Sequence, residues 1–224
     1  MTGELARNYR KLQTALAACA AQSGHPVALL AVSKTHPAAR IAECAALGQR
    51  AFGENYVQEA LAKIAELAPL GLEWHLIGPL QSNKCQAAAE HFDWVQSVDR
   101  AKIIPLLAKH RPPHRPPLNV LIQVNIDGEA GKSGCSPEQA AELAARIAAE
   151  PRLLLRGLMA IPDPATSGNG LAFAQMQRLF RELHADHPSM DTLSMGMSDD
   201  FPAAIAHGAT LVRVGSALFG RRNP

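Results

Sequence analysis

VALLAVSKTHPAARIAECAALGQRAFGENYVQEALAKIAELA, residues 27–68, decides the fold. Its first run, VALLAVS (27–33), is continuously apolar and too short for a buried helix, so it reads as a strand buried on both faces. Thr35, His36 and Pro37 break it, and PAARIAECAALG follows with apolar residues at helical spacing. RAFG (50–53) is a second short strand, and NYVQEALAKIAELA a second amphipathic helix. A strand, a helix and a strand in that order imply parallel pairing through a right-handed crossover.

The rhythm continues outward to the C-terminus. Further apolar runs lie at 73–78 (EWHLIG), 93–98 (DWVQSV), 118–125 (LNVLIQVN), 153–159 (LLLRGLM), 192–196 (TLSMG) and 210–215 (TLVRVG), with Ala-rich helical patterns between them. Eight βα units without a Gly-rich dinucleotide turn after the first strand predict closure rather than an open doubly wound sheet. Ahead of the first strand, Leu5, Leu12, Leu16 and Cys19 mark an extra helix from about Glu4 to Gln22, ended by Gly24-His25-Pro26. The expected architecture is α/β, a single (β/α)8 TIM-type barrel over residues 1–224 with an additional N-terminal helix. HRPPHRPP (110–117) reads as a stiff surface connector, and PDPATSGNG (162–170) as a loop on the active face.

Composition narrows the function. The 224 residues are 47% hydrophobic and 19% charged with a net charge of +2, the profile of a globular protein with no extended electrostatic footprint for nucleic acid. There is neither a signal-peptide pattern nor an apolar run that could cross a bilayer, so a cytoplasmic location is expected. Cys19, Cys44, Cys85 and Cys135 are scattered without a CxxC pair and read as reduced thiols filling space, with no metal site.

Barrel enzymes and binders build their sites from the loops after strands. Lys34 follows the first run, Glu54 and Asn55 the second, MGMS the seventh, and Arg213, Gly215 and Ser216 close the eighth. A lysine at the lip of an apolar core has its ammonium destabilised, and a neutral amine forms Schiff bases. By position alone, a Lys34 that snorkels to solvent is the more ordinary reading. The segments MGMSDD and VGSALFG place small residues and hydroxyls before helices, the arrangement that binds phosphate after strands seven and eight of many barrels. Ser198 reads equally as the N-cap of a helix starting near it.

The motifs AVSKTHP, FGENYVQE, WHLIGPLQSNK, VNIDGEAGKSG, RGLMAIP and LSMGMSDDFPAAIAHGATLVRVGSALFGRR together resemble the PLP-binding pyridoxal phosphate homeostasis proteins, which are similar to the N-terminal barrel of alanine racemase. The resemblance covers nearly the whole chain. It implies a fold-type III PLP barrel with pyridoxal 5′-phosphate (PLP) held as a Schiff base on Lys34. It also implies that Ser198, Gly215 and Ser216 contact the phosphate with Met197 beside it, that Arg213 faces the pyridine nitrogen, and that Asn55 lies beside the ring. His75, Gln81, Asn83 and Lys84 belong to the pattern without an assigned role.

An always-protonated arginine disfavours a protonated pyridine nitrogen and weakens the ring as an electron sink. Racemisation further needs acid–base groups on both faces of the substrate. Neither Tyr9 nor Tyr56 follows the racemase pattern, Tyr56 reading as a half-buried helix residue, and the chain ends after its eighth unit, without the racemase's second domain and its dimer contact. The expectation is therefore a monomeric carrier or regulator in vitamin B6 homeostasis that buffers PLP and hands it to PLP-dependent apo-enzymes, with no residue assigned a catalytic role. A weak amino-acid racemase or other fold-type III enzyme is the alternative, and a barrel binding a different phosphate ester the third reading. Lys132, among glycines in DGEAGKSG, reads as a solvated lysine or as a relay for PLP.

Overall fold

All eight apolar runs form strands in the computed structural model, which describes residues 3–163 and 170–220. They are β1 (Ala28–Val32), β2 (Ala51–Glu54), β3 (Glu73–Leu76), β4 (Trp94–Val98), β5 (Leu118–Val124), β6 (Leu153–Ala160), β7 (Thr192–Ser194) and β8 (Leu211–Val214). Every neighbouring pair is parallel, and β8 returns to pair with β1, leaving no open edge. The fold is a closed (β/α)8 barrel.

The helices are α1 (Glu4–Ser23), α2 (Ala38–Ala46), α3 (Val57–Glu66), α4 (Cys85–His91), α5 (Ile104–His110), α6 (Ala140–Ala148), α7 (Leu171–Asp186), α8 (Phe201–Ala206) and α9 (Ser216–Phe219). Helix α1 buries Leu5, Leu12 and Leu16 and packs between the first and last units, against α2, α8 and α9. Gly24, at φ 74°, stops it in the left-handed cap conformation that glycine adopts without steric cost. The buried Cys44 and Cys135 fill space as expected, and burial pushes their thiols up to about 12 and about 11.

The connector 110–117 is not simply a stiff surface loop. Arg111 is buried and donates to the carbonyls of Ala89, Phe92 and Pro116, while Arg115 donates to the Glu90 carbonyl and to Asp93. Arg152 closes the set by donating to the carbonyls of Pro112 and Arg115. The carbonyls of Ala89, Glu90 and Phe92 belong to the C-terminal end of α4, where a helix leaves its last carbonyls without intrahelical donors, and the guanidinium groups supply them. Burial lowers the Arg111 pKa to about 10, which still leaves it charged at neutral pH.

At the end of β3 the backbone of Gly78 runs so close to β2 that a Cβ there would sit 2.1 Å from the Asn55 carbonyl oxygen. Gly78→Ala therefore has to push Asn55 away, at a cost of about 1–3 kcal/mol. Chemical denaturation will register the stability loss, and no change in midpoint would disprove the close approach.

Candidate functional site

The site begins with how the chain leaves β1. Ser33 is buried, Lys34 is half-buried, and Thr35 adopts φ 68°, a left-handed conformation costly for a β-branched residue. Two neighbours hold this turn. The Thr35 N–H donates to Glu59 Oε1 at 2.6 Å, and Lys63 Nζ donates to the Ser33 carbonyl at 2.9 Å. Lys63 also pairs with Glu54 at 2.8 Å and Glu59 at 2.7 Å, and the Ser33 hydroxyl donates to Glu54 at 2.6 Å. The peptide groups on both sides of Lys34 are thus tied to one buried ion cluster. Burial pushes the Glu54 carboxyl above its usual range, opposed by Lys63 and Ser33.

The β7 and β8 ends face this lysine. Helix α8 starts at Phe201 with Asp200 as its N-cap residue, so Ser198 is not the cap that its sequence position allowed. Asp200 Oδ1 instead accepts the Met197 N–H at 2.6 Å and folds the MGMS turn. That frees the Ser198 hydroxyl to lie 3.1 Å from Ser216 Oγ, across the mouth between β7 and β8. Stacking of His36 on Phe219, with centroids 4.7 Å apart, joins the β1 turn to the end of α9.

A cleft of about 270 Å³ opens between these loops. Lys34, Asn55, Met197, Ser198, Arg213, Gly215 and Ser216 all line it, together with Ile77 and Ile161. Asn55 is also shared by two adjoining hollows, one reaching Lys132, the other Tyr56 and Lys84. Tyr56 is 60% exposed in an extended conformation just before α3, contrary to the half-buried helical role read from its position. Lys132 is half-buried and pairs with Glu129 at 2.5 Å, with Asp163 at 4.0 Å, so it is not a freely solvated lysine. Of the loop 162–170, residues 164–169 lie outside the described residues.

Arg213 lies on the cleft floor with 3% of its surface exposed. It donates to Ser194 Oγ at 2.8 Å and to the Ala160 carbonyl at 2.7 Å, and among the described residues no carboxylate touches it. Burial lowers its pKa to about 10 against the pull of Asp200, which leaves it a cation at neutral pH. Beneath it the barrel interior is polar: Ser194 contacts Gln96, Gln96 contacts His75, and His75 contacts Glu73. The positions of Gln96 and Ser194 within apolar runs concealed their role.

His75 is buried, and burial holds its pKa below the ordinary 6.5 although Glu73 pulls the other way. The unfolded chain takes up a proton near pH 6.5 that the folded state refuses, so this contribution to stability is complete above 6.5 and is lost as pH falls. The limiting slope is about 1.4 kcal/mol per pH unit for one proton. Urea unfolding between pH 7.5 and 5 will show it, and His75→Gln should flatten the dependence; parallel curves for the two proteins would contradict it.

This geometry has relatives. The alanine racemase N-terminal domain family matches residues 2–223. A pyridoxal phosphate homeostasis protein from Pseudomonas aeruginosa is 53% identical, with 98% of this chain and 96% of the relative aligned. The chain belongs to the pyridoxal phosphate homeostasis family. Among solved members, PipY from Synechococcus elongatus with PLP bound superposes with a TM-score of 0.84 at 38% identity, over 97% of this chain and all of PipY. Alanine racemase from Corynebacterium glutamicum shares the fold, with a TM-score of 0.67 at 20% identity over 98% of this chain and 61% of the racemase. The expected alanine racemase-like, fold-type III barrel is the fold of this homeostasis-family chain.

Proposed function

We propose that this chain binds PLP on Lys34 as a Schiff base and serves intracellular PLP homeostasis, buffering the cofactor and handing it to apo-enzymes rather than turning over amino acids. The observation that carries this reading is the single cleft that joins an amine, a buried guanidinium and two facing hydroxyls. The residues fit the group. Lys34 supplies the amine, and Ser198 and Ser216 with Gly215 form a cradle for the phosphate, where a Cβ on Gly215 would already press against the Val32 carbonyl at 3.3 Å. Arg213 offers donors towards an acceptor in the ring, and Asn55 Oδ1 is buried beside the cleft without a hydrogen-bond partner among the described residues. Met197 flanks the phosphate side. When bound, PLP supplies an electrophilic aldehyde carbon and a conjugated ring.

What the chain does around that group is mostly to hold it. Arg213, charged and fixed by Ser194 and Ala160, would disfavour a proton on a pyridine nitrogen placed beside it and so would limit the ring's electron-withdrawing capacity. Turnover as a racemase would need a second acid–base group opposite Lys34. Asp199, exposed at the rim, is the carboxylate that lines the cleft. We read the chain as a cytoplasmic monomer in which residues 1–224 form one binding unit; no helix among the described residues is long and apolar enough to cross a membrane. Purified protein incubated with PLP should acquire a visible absorption band that survives gel filtration, and should exchange no solvent deuterium into Cα of a panel of amino acids. A colourless protein would overturn the binding reading, and rapid deuterium uptake would favour a racemase.

A further inference from the structure

Four interior side chains and one at the rim touch in series across the barrel: Arg213 on β8, Ser194 on β7, Gln96 on β4, and His75 and Glu73 on β3. The links measure 2.8 Å from Arg213 Nη1 to Ser194 Oγ, 2.8 Å from Ser194 Oγ to Gln96 Oε1, 2.9 Å from Gln96 Nε2 to His75 Nδ1, and 2.8 Å from His75 Nε2 to Glu73 Oε1. The first four residues are each at most 3% exposed, whereas the Glu73 side chain is 48% exposed at the amino-terminal mouth, where β3 begins.

The direction of this series is set from both ends. A guanidinium can only donate, so Ser194 Oγ accepts from Arg213, and a carboxylate can only accept, so His75 Nε2 carries the proton donated to Glu73. A neutral ring then accepts at Nδ1 from the Gln96 NH2, which turns the Gln96 oxygen towards the Ser194 hydroxyl. Trp94 stacks on the imidazole at 5.1 Å and 8°, and the Arg156 guanidinium sits 4.8 Å from the centroid of that indole, so the ring plane is held as well. Every donor points from the cation at the cleft towards the carboxylate at the far mouth. In a low-dielectric interior such a chain polarises cooperatively.

We propose that Ser194, Gln96 and His75 are positioning residues that couple the Arg213 guanidinium to the Glu73 carboxylate, so that a charge at the opposite mouth of the barrel sets how Arg213 presents itself to the PLP ring. This rests on the PLP reading above. Asp200 favours the charged form of Arg213 without touching it, and the relay adds a second countercharge. A contact made directly at Arg213 would crowd the ring, and the relay places the countercharge outside the cleft. Packing alone would require only that each polar group find some partner, in no particular direction.

The test uses Glu73→Gln, which keeps an acceptor for His75 but removes the charge at a half-exposed position, and Ser194→Ala, which cuts the link next to Arg213. In PLP-free wild-type protein, nitrogen NMR of the imidazole, assigned against His75→Gln, should show a neutral ring protonated on Nε2. After loading with PLP, both variants should shift the absorption band in the same direction and release PLP faster, by about two- to thirtyfold, the range of coupling energies carried through packed networks. Circular dichroism confirms that each variant is folded. A ring protonated on Nδ1 or on both nitrogens, or a Glu73→Gln protein whose band and release rate match wild type, overturns the relay while PLP binding stands. Failure of wild-type protein to take up PLP overturns the cofactor reading itself, and this proposal with it.

Discussion

Lys34→Ala protein is expected not to develop the stoichiometric visible band that wild-type protein should acquire with PLP, and borohydride reduction should no longer label the peptide containing residue 34. Lys34 is the amine that lines the cleft with Arg213, Ser198 and Ser216. Its approach is set by the clamp on both flanking peptide groups rather than by its own long side chain. Without the proposed covalent link, the cofactor would keep only polar contacts, and retention should fall at least tenfold, equivalent to about 1.4 kcal/mol. Lys84 and Lys132 line the two adjoining hollows, not this cleft. Peptide mapping of the reduced protein therefore checks the assignment directly. A label found on either of those residues in the wild-type protein would remove Lys34 from its role.

The second large effect is expected from Lys63→Met, at a buried ion pair. Glu54 is fully buried, and Lys63 is the cation that compensates it. Removing one partner of a buried pair leaves a stranded charge and costs about 3–5 kcal/mol. With about 2–4 °C of melting temperature per kcal/mol in a chain of this size, thermal unfolding should shift down by roughly 6–20 °C. Combining Lys63→Met with Glu54→Gln should recover much of this, because the uncompensated carboxylate is then gone. The single variant also releases the Ser33 carbonyl, so PLP uptake should slow with the loss of stability. A shift below about 2 °C would mean that the cluster is neither compensated nor structural as described.

Much of the fold was legible in the residues. The period-free apolar runs and the 3.6-residue patterns between them are local properties, and all eight runs became strands within two residues of their predicted limits. Lys34, Ser198 and Ser216 could be singled out because residues that follow barrel strands must face one end. Asn55, the MGMS turn, Arg213 and Gly215 follow strands in the same way, the motif resemblance assigned their roles towards PLP, and the cleft brings all seven residues together.

Other features were hidden because their meaning lies in contacts between distant elements. Glu59 and Lys63, four apart on α3, look like an ordinary pair on a solvated helix face, yet in the barrel they turn inward and hold the Lys34 turn. Arg111 and Arg115 look like charges on a proline-rich loop, yet buried carbonyls of α4 need their donors. Gln96 and Ser194 interrupt apolar runs, and only closure of the sheet, which sets β4 opposite β7, makes them neighbours. Element types, their order and which strand ends could face a ligand are written in the residues alone, because periodicity and strand direction are encoded locally. Which buried charges compensate one another, and which way the interior hydrogen bonds run, emerges in the folded barrel, because donors and acceptors 9 to 98 residues apart along the chain are brought together there.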